Sequence, residues 1–204
     1  MKILIVDDHA IVRDGLRRLL AAGADHQIRE AANGSEALTL AQSFHPDMVI
    51  LDLNLPGLGG LELLRRIVQF GGARILILSM HAEPLYVRRA LDAGANGYLS
   101  KNVAPDELQL AVRRVAMGGR YIEAEIAQAL ALDGGEGREQ LSALSPRELE
   151  IIRLLSQGLS LSDIAAALGV SYKTAANNCT QIKAKLGVTR TADLVRLAVG
   201  EGIS

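Results

Sequence analysis

The sequence predicts an α/β domain, built on a five-stranded parallel, doubly wound sheet, followed by a small all-α domain of four helices. Three observations predict this. The chain has 204 residues, more than the usual single-domain size of about 100 to 150 residues. Its first 117 residues alternate short apolar runs with amphipathic segments, which is typical of a parallel sheet with helices on both faces. After a glycine-rich, charged stretch, only helical patterns follow.

Short apolar runs, rich in β-branched residues or leucine, mark the strands of the first domain. They lie at Lys2–Val6, Gln27–Ala31, Met48–Leu51, Arg74–Leu78 and Gly97–Leu99. Helical patterns lie between and after them, near residues 10–21, 35–44, 60–69, 84–93 and 105–116. Pro84 and Pro105 suit the first turn of a helix, where a missing amide proton costs nothing.

The boundary between the domains is predicted from composition. Residues 134–140, GGEGREQ, combine three glycines with charge and contain no apolar residue. The Ala-rich run before them, residues 122–132, is predicted to add a helix or a helical tether. We therefore assign residues 1–120 to the first domain, 121–140 to a helical or flexible linker, and 141–204 to the second domain.

The second domain has the pattern of a helix-turn-helix fold. Ser145 and Glu148 form a predicted capping box, with Pro146 in the first turn of a helix that runs to about Gln157. A second helix at Leu161–Leu168 is followed by a Gly-Val-Ser turn and by a longer helix that ends near Leu186. Ala192–Val199 completes the four helices. A tight glycine turn between the two middle helices is typical of helix-turn-helix domains.

Composition excludes several classes of protein. Cys179 is the single cysteine, which excludes an intramolecular disulfide and a thiolate metal cluster. Without Trp and with few other aromatic residues, the chain is unsuited to stacking single-stranded bases. The apolar run at residues 3–6 is too short for a signal peptide, and no uncharged apolar stretch reaches about 18 residues. We therefore predict a soluble, cytoplasmic protein with no membrane partner.

Polar side chains follow four of the predicted strands. Asp7 and Asp8 come directly after the first strand, Asp52 after the third and Ser79 after the fourth, while Lys101 follows the fifth. In an open α/β sheet, ligands gather at the carboxyl ends of the strands. Each residue alone has a plain structural interpretation as a cap or a surface charge. Together, at one sheet edge, they predict a functional pocket.

The chemistry of this pocket points to phosphoryl transfer. Clustered carboxylates repel one another, and a hard divalent cation with oxygen ligands, most plausibly Mg²⁺, relieves that repulsion. Asp52 is the predicted nucleophile that forms an acyl phosphate. Lys101 offers a fixed positive charge, and Ser79 a hydroxyl, to the transferred oxygens.

Several strings in the sequence carry a family resemblance. ILIVDDHAIVRDGL, VILDLNLPGLGGLELL, ILILSMH and GANGYLSK resemble the flavodoxin-like receiver domain of two-component response regulators. LSPRELEIIRLLSQGLSLSDIAAALGVSYKT resembles a LuxR-type helix-turn-helix, and the combination is similar to the NarL/FixJ family.

The resemblance implies roles for individual residues. Asp7, Asp8, Asp52 and the carbonyl of Asn54 would hold Mg²⁺, and Asp52 would be phosphorylated. Ser79 and Lys101 would contact the phosphoryl group. Tyr98 would be the aromatic side chain that changes rotamer on activation.

The helix after Ser171 is predicted to read DNA. Its apolar or small residues recur at i, i+4, i+7 and i+11, which predicts that this stripe faces the domain core. The opposite face, which would contact bases and phosphates, has two amide side chains and few positive charges. The predicted contacts are Lys173, Thr174, Ala176, Asn177, Thr180, Gln181 and Lys183.

The leading hypothesis is a transcription regulator, not an enzyme, that a sensor histidine kinase phosphorylates at Asp52. Its predicted partners are the kinase, double-stranded DNA and, when active, a second copy of the chain. Charge weakly favours DNA as a partner: residues 141–204 have 7 Lys and Arg against 5 Asp and Glu, whereas residues 1–133 have 14 against 16.

Two alternatives stay open at this point. A Mg²⁺-dependent phosphohydrolase would use the same acidic pocket. A protein-interaction regulator with weak or no DNA binding is motivated by Ala176 and the weakly basic face.

Overall fold

The computed structural model of the chain describes residues 1–22, 25–55, 58–132 and 144–200. The chain divides into two compact units, Met1–Asp133 and Gly134–Ser204. The predicted linker residues 134–140 and the predicted domain start at 141 lie outside the described residues. Among the described residues, no helix has the length and apolar character needed to cross a membrane.

The first unit is built on a parallel sheet with the strand order β2-β1-β3-β4-β5-β6. The strands are β1 Lys2–Val6, β2 Gln27–Ala31, β3 Met48–Leu51, β4 Arg74–Ser79, β5 Gly97–Ser100 and β6 Tyr121–Ile122. The middle strands are buried on both faces: successive residues Ile3, Leu4 and Ile5 are all 0% exposed. Such strands read as continuous apolar runs because helices cover both sides of the sheet.

Helices connect the strands of the first unit. They are α1 Ala10–Ala21, α2 Gly34–Phe44, α3 Gly60–Phe70, α4 Pro84–Asp92, α5 Pro105–Ala116 and α6 Ala124–Leu132. Leu16 and Leu20 of α1 share one core cluster with Leu108 and Val112 of α5 and with the side chains of β1 and β3 on the same face. The predicted α/β fold class is confirmed.

The predicted count of five strands is wrong by one. Tyr121 and Ile122, assigned from sequence to the linker, pair with Gly97 and Tyr98 as a sixth parallel strand. Gly97 permits this approach, because a Cβ at that position would lie only 2.8 Å from the carbonyl oxygen of Tyr121. The residues directly after β6 form α6, which packs against α4. The segment 121–132 therefore belongs to the body of the first unit.

The second unit is helical among its described residues. Its helices are α7 Pro146–Ser156, α8 Leu161–Ala167, α9 Tyr172–Lys185 and α10 Thr191–Gly200. Ser145 and Glu148 form the predicted capping box of α7, and Ser160 and Asp163 form a second one at α8. Gly169, at a φ of 62°, provides the turn between α8 and α9 that side chains with a Cβ disfavour.

Candidate functional site

An acidic pocket lies where β1 and β3 end side by side. Asp7 follows β1 and Asp52 follows β3, and these neighbouring strands pair in register up to Val6 and Leu51. Ligand atoms of Asp7, Asp8, His9 and Asp52 all lie within 4.8 Å of one another. Asp7 and Asp52 are 2% exposed, whereas Asp8 and His9 form an exposed rim. The carboxylates predicted from strand ends are therefore brought together.

Lys101 bridges the two buried carboxylates of this pocket. Its Nζ lies 2.6 Å from Asp52 Oδ2 and 2.6 Å from Asp7 Oδ2. The backbone of Lys101 is fixed as well, because its amide donates to the Ser79 carbonyl at 2.9 Å. Burial disfavours the charged amine, but the hydrogen bonds to Asp52 and Asp7 outweigh it, so the pKa of Lys101 is raised. The amine therefore stays charged at neutral pH.

Asp52 is held by backbone groups on both sides. Its amide donates to the Val6 carbonyl at 2.9 Å, and its Oδ1 accepts from the Asn54 amide at 2.9 Å. The first turn of α3 lies against this loop, where a Cβ at Gly60 would overlap the backbone of Leu53. Burial raises the pKa of Asp52, and the hydrogen bonds from Lys101 and Asn54 oppose that effect.

The donor set of the pocket fits a hard divalent cation. Asp7, Asp8 and Asp52 contribute oxygen ligands, which Mg²⁺ and Ca²⁺ prefer to nitrogen or sulfur. His9 Nδ1 lies 2.8 Å from Asp8 Oδ1 and 3.2 Å from Asp7 Oδ1, at the rim of the cluster. Asn54 lies at the same pocket, because its backbone amide donates a hydrogen bond to Asp52. That its carbonyl is a further ligand stays a prediction.

Ser79 ends β4 and Tyr98 lies in the neighbouring strand β5, and both are 0% exposed. The Ser79 hydroxyl oxygen accepts a hydrogen bond from the His81 amide at 3.2 Å. Tyr98 donates to the His81 carbonyl at 2.6 Å. Burial raises the pKa of Tyr98, so its hydroxyl keeps its proton. The ring that the resemblance implies as a moving part occupies an inward, fully buried position.

The predicted orientation of α9 is confirmed by burial. The stripe Ala175, Cys179, Ile182 and Leu186 is 0 to 8% exposed and forms part of the core of the second unit. The opposite face lies in solvent. Lys173, Thr174, Asn177, Thr180 and Gln181 are exposed, while Ala176 and Lys183 are half-buried.

Local hydrogen bonds fix the start and the middle of α9. Ser171 caps the helix by accepting from the Thr174 amide at 3.1 Å, and the two hydroxyls lie 2.8 Å apart. Thr180 donates its hydroxyl to the Ala176 carbonyl at 3.0 Å, which leaves the oxygen lone pairs available to an outside donor. The exposed face therefore has one lysine near its start and amide or hydroxyl groups along its length.

Three residues to which the sequence assigns no role lie in or next to these sites. His81 contacts both Ser79 and Tyr98 through its backbone, and no sequence pattern predicts a backbone contact of this kind. Tyr172, 60% exposed, begins α9 beside Lys173; an aromatic residue directly after a capping serine was the available signal. Glu123, directly after a strand too short to predict, accepts a hydrogen bond from the Ser100 amide, one residue before Lys101.

Two family models match the chain. Residues 3–113 match the response regulator receiver domain, and residues 142–198 match the bacterial regulatory proteins of the luxR family. The first match contains every residue of the acidic pocket, and the second contains all of α9.

Curated relatives match over the full length. The chain is 44% identical to the transcriptional activator protein ExaE of Pseudomonas putida, over 100% of this chain and 98% of that protein. It is 35% identical to the response regulator UvrY of Escherichia coli K12, over 100% of this chain and 95% of UvrY.

Solved structures agree with these matches. RcsB of Salmonella enterica serovar Typhimurium, bound to the promoter rprA with the phosphomimetic BeF3-, matches with a TM-score of 0.67 at 26% identity, over 98% of each chain. A LuxR-family response regulator from Aurantimonas sp. SI85-9A1 matches with a TM-score of 0.63 at 42% identity, over 66% of this chain and 98% of that one. The chain therefore belongs to the NarL/FixJ family of response regulators, with a receiver domain followed by a LuxR-type helix-turn-helix domain.

Proposed function

We propose that a sensor histidine kinase phosphorylates Asp52 and that this controls dimerisation and sequence-specific DNA binding, and thereby transcription. One observation carries the proposal: a buried carboxylate is held 2.6 Å from a lysine amine that also contacts a second buried carboxylate. When a phosphoryl group adds negative charge at Asp52, a lysine in this place can move its contact from the carboxylate to a phosphoryl oxygen without leaving the pocket.

The phosphoryl transfer is a balanced exchange of bonds. A carboxylate oxygen of Asp52 attacks phosphorus, the bond from phosphorus to the imidazole nitrogen of the kinase breaks, and that nitrogen leaves with the electron pair. Lys101 then offers its charge, and Ser79 its hydroxyl, to the phosphoryl oxygens. If the Ser79 hydroxyl moves toward the phosphoryl group, it gives up its bond with the His81 amide, and the His81 carbonyl is the acceptor for Tyr98. The packing around the Tyr98 ring would then change, which is the kind of shift that biases two-state elements.

We propose Mg²⁺ as the cofactor, held by Asp7, Asp8, Asp52 and the Asn54 carbonyl. The cation would neutralise the charge of the incoming phosphoryl group beside three carboxylates. The protein acts as a phosphoacceptor and not as an enzyme on an external substrate. A Mg²⁺-dependent phosphohydrolase would instead release phosphate continuously from a phosphoester.

The second domain is proposed to bind duplex DNA through α9. Lys173 and Lys183 would contact phosphates, and Asn177 and Gln181 would bond base edges in the major groove, with Thr174, Ala176 and Thr180 between them. RcsB, the neighbour described above, is bound to a promoter. With few positive charges per monomer, a dimer on paired half-sites is the expected active form. Chromosomal DNA as the partner makes the cytoplasm the expected location.

The low charge of this face also favours a second candidate: a protein-interaction regulator with weak or no DNA binding. Lys173 and Lys183 are the only charged side chains among the seven proposed contacts, and Ala176 offers no polar group. Duplex binding that is absent both with and without phosphorylation of Asp52 would favour this candidate.

The experiment treats the full chain with Mg²⁺ and beryllofluoride, an acyl-phosphate mimic, and measures anisotropy of labelled duplexes selected from a random-sequence library. We expect tighter binding and a larger assembly in sedimentation with the mimic than without it. Asp52→Asn should abolish both responses, whereas Asp14→Asn, which removes an exposed carboxylate paired with Arg17 and Arg18, should retain them. An unchanged response in Asp52→Asn would overturn the proposal.

A further inference from the structure

Glu123 ties the segment 121–132 to the strand that leads into Lys101. Its Oε2 accepts a hydrogen bond of 2.6 Å from the Ser100 amide, and its own amide donates to the Tyr98 carbonyl at 3.1 Å. Both bonds lie on the outer edge of β5. One residue outside the conventional five-stranded sheet therefore holds β5 at Tyr98 and again at the residue before Lys101.

The carboxylate of Glu123 takes the place of a missing backbone acceptor. In a continuing parallel ladder, the Glu123 carbonyl would accept from the Ser100 amide. That carbonyl accepts instead from the Ala127 amide, at 2.9 Å, because the chain turns into α6. A hydrogen bond to an ionised acceptor is stronger than one to a neutral carbonyl. The carboxylate therefore holds the Ser100 amide, at the edge of β5 beside the pocket, more firmly than the carbonyl would.

The segment joined in this way is packed against the receiver. Ile126 is 3% exposed, and Arg88 of α4 donates to the Leu130 carbonyl at 2.9 Å. The segment lies beyond residues 3–113, which match the receiver family model, and it precedes the helix-turn-helix domain in the chain. A displacement at Glu123 would therefore be passed to a packed helix.

We propose that Glu123 is a positioning residue that couples the phosphoryl pocket to the segment 121–132. When Lys101 moves its contact to a phosphoryl oxygen, the backbone at Ser100 is ordered, and the Glu123 carboxylate passes that ordering to α6. The inference rests on the proposed function, because it needs a phosphoryl group or its mimic at Asp52.

The test compares the full chain with Glu123→Ala, Glu123→Gln and the control Glu125→Ala. Gln keeps an oxygen acceptor at residue 123, and Glu125 is an exposed carboxylate two residues further on. The probe is beryllofluoride with Mg²⁺. Its affinity is measured by calorimetry, and amide exchange at Ser100 and across residues 124–132 is followed by NMR.

In the unmutated chain we expect the mimic to slow exchange at Ser100 and across residues 124–132 together, by about threefold or more. Glu123→Ala should weaken binding of the mimic by about tenfold and should abolish the response of residues 124–132. Glu123→Gln should restore most of both effects, and Glu125→Ala should match the unmutated chain. A merely structural role would not couple exchange in α6 to the mimic.

The inference is overturned if Glu123→Ala binds the mimic normally and residues 124–132 still respond. If this variant does not fold, the unmutated chain decides: a slowed Ser100 amide with no change across residues 124–132 overturns the coupling. These results differ from failure of the proposed function itself. In that case the unmutated chain would not bind the mimic, or Asp52→Asn would bind it equally well, and both proposals would be abandoned.

Discussion

The hydroxyl of Tyr98 donates a hydrogen bond of 2.6 Å to the backbone carbonyl of His81, and both residues are buried. This bond joins β5 to the loop after β4. It holds the tyrosine ring in its buried, inward position. The position of the ring is therefore held by a backbone group of the loop after β4.

Tyr98→Phe should destabilise the receiver by about 1 to 3 kcal/mol, because the His81 carbonyl is left buried without its donor. Native-state hydrogen exchange at the amides of β4 and β5 gives the free energy of opening and so measures this loss. Because these amides belong to the receiver, the measurement reports on its stability and not on that of the second unit. Tyr121→Phe is the control, since its hydroxyl bonds Glu107 at a half-buried position and should matter less. Equal losses in the two variants would contradict the assignment.

Asp8→Asn should weaken Mg²⁺ binding by about tenfold or more, because it removes one oxygen ligand and one negative charge. Titration calorimetry suits this measurement, since the chain has no Trp for fluorescence quenching. Asp14→Asn should bind Mg²⁺ as the unmutated chain does. If the two variants bind Mg²⁺ with the same affinity, Asp8 is not part of the cation site.

The second unit should lose stability in acid because of Glu148. Burial raises the pKa of this carboxyl, but hydrogen bonds from Lys185 and Ser145 outweigh it, so the pKa is lowered. A lowered pKa in the fold contributes stability that is complete above the ordinary Glu pKa of about 4.3 and is lost as pH falls through the lowered value.

This loss would be seen in the thermal unfolding of the second unit, followed through the NMR signals of α7 and α9 at a series of pH values from about 6 down to about 3. Lys185→Met should flatten the dependence, because the 2.8 Å bond from Lys185 to Glu148 is removed. An unchanged acid profile in that variant would rule out the pair as its source.

Lys173→Ala and Asn177→Ala should affect DNA binding differently. Removing the lysine should weaken binding to all sequences and reduce the salt slope by about one, because fewer counterions are released. Removing the amide should cost about 1 to 3 kcal/mol at one base pair only, with the salt slope unchanged. Anisotropy over a salt series measures both, with Arg66→Ala on α3 as the control. If both variants behave like this control, α9 does not read DNA.

Much of the site can be predicted from the sequence, because the ends of the buried strands can be recognised in it. The sequence predicts that the residues after β1 and β3 share one sheet edge, and Asp7 and Asp52 lie together there. The orientation of α9 can also be predicted, since an apolar stripe at helical spacing has only one way to face the core.

Other features of the structure cannot be predicted from the local sequence pattern. A strand of two half-buried residues, Tyr121 and Ile122, is too short to show a periodicity, and the sequence alone therefore predicts a linker there. The bond from Glu123 to Ser100 depends on that strand and could not be predicted without it.

By itself the sequence determined the order of elements, the acidic residues at the strand ends and the core stripe of α9. These properties follow from residue type and spacing along the chain. The tertiary structure decided the contact of Lys101 with Asp52 across 49 residues of sequence, the inward position of Tyr98 and the sixth strand. Such features depend on which side-chain rotamers and strand edges meet once the sheet has formed, and that is a property of packing rather than of local pattern.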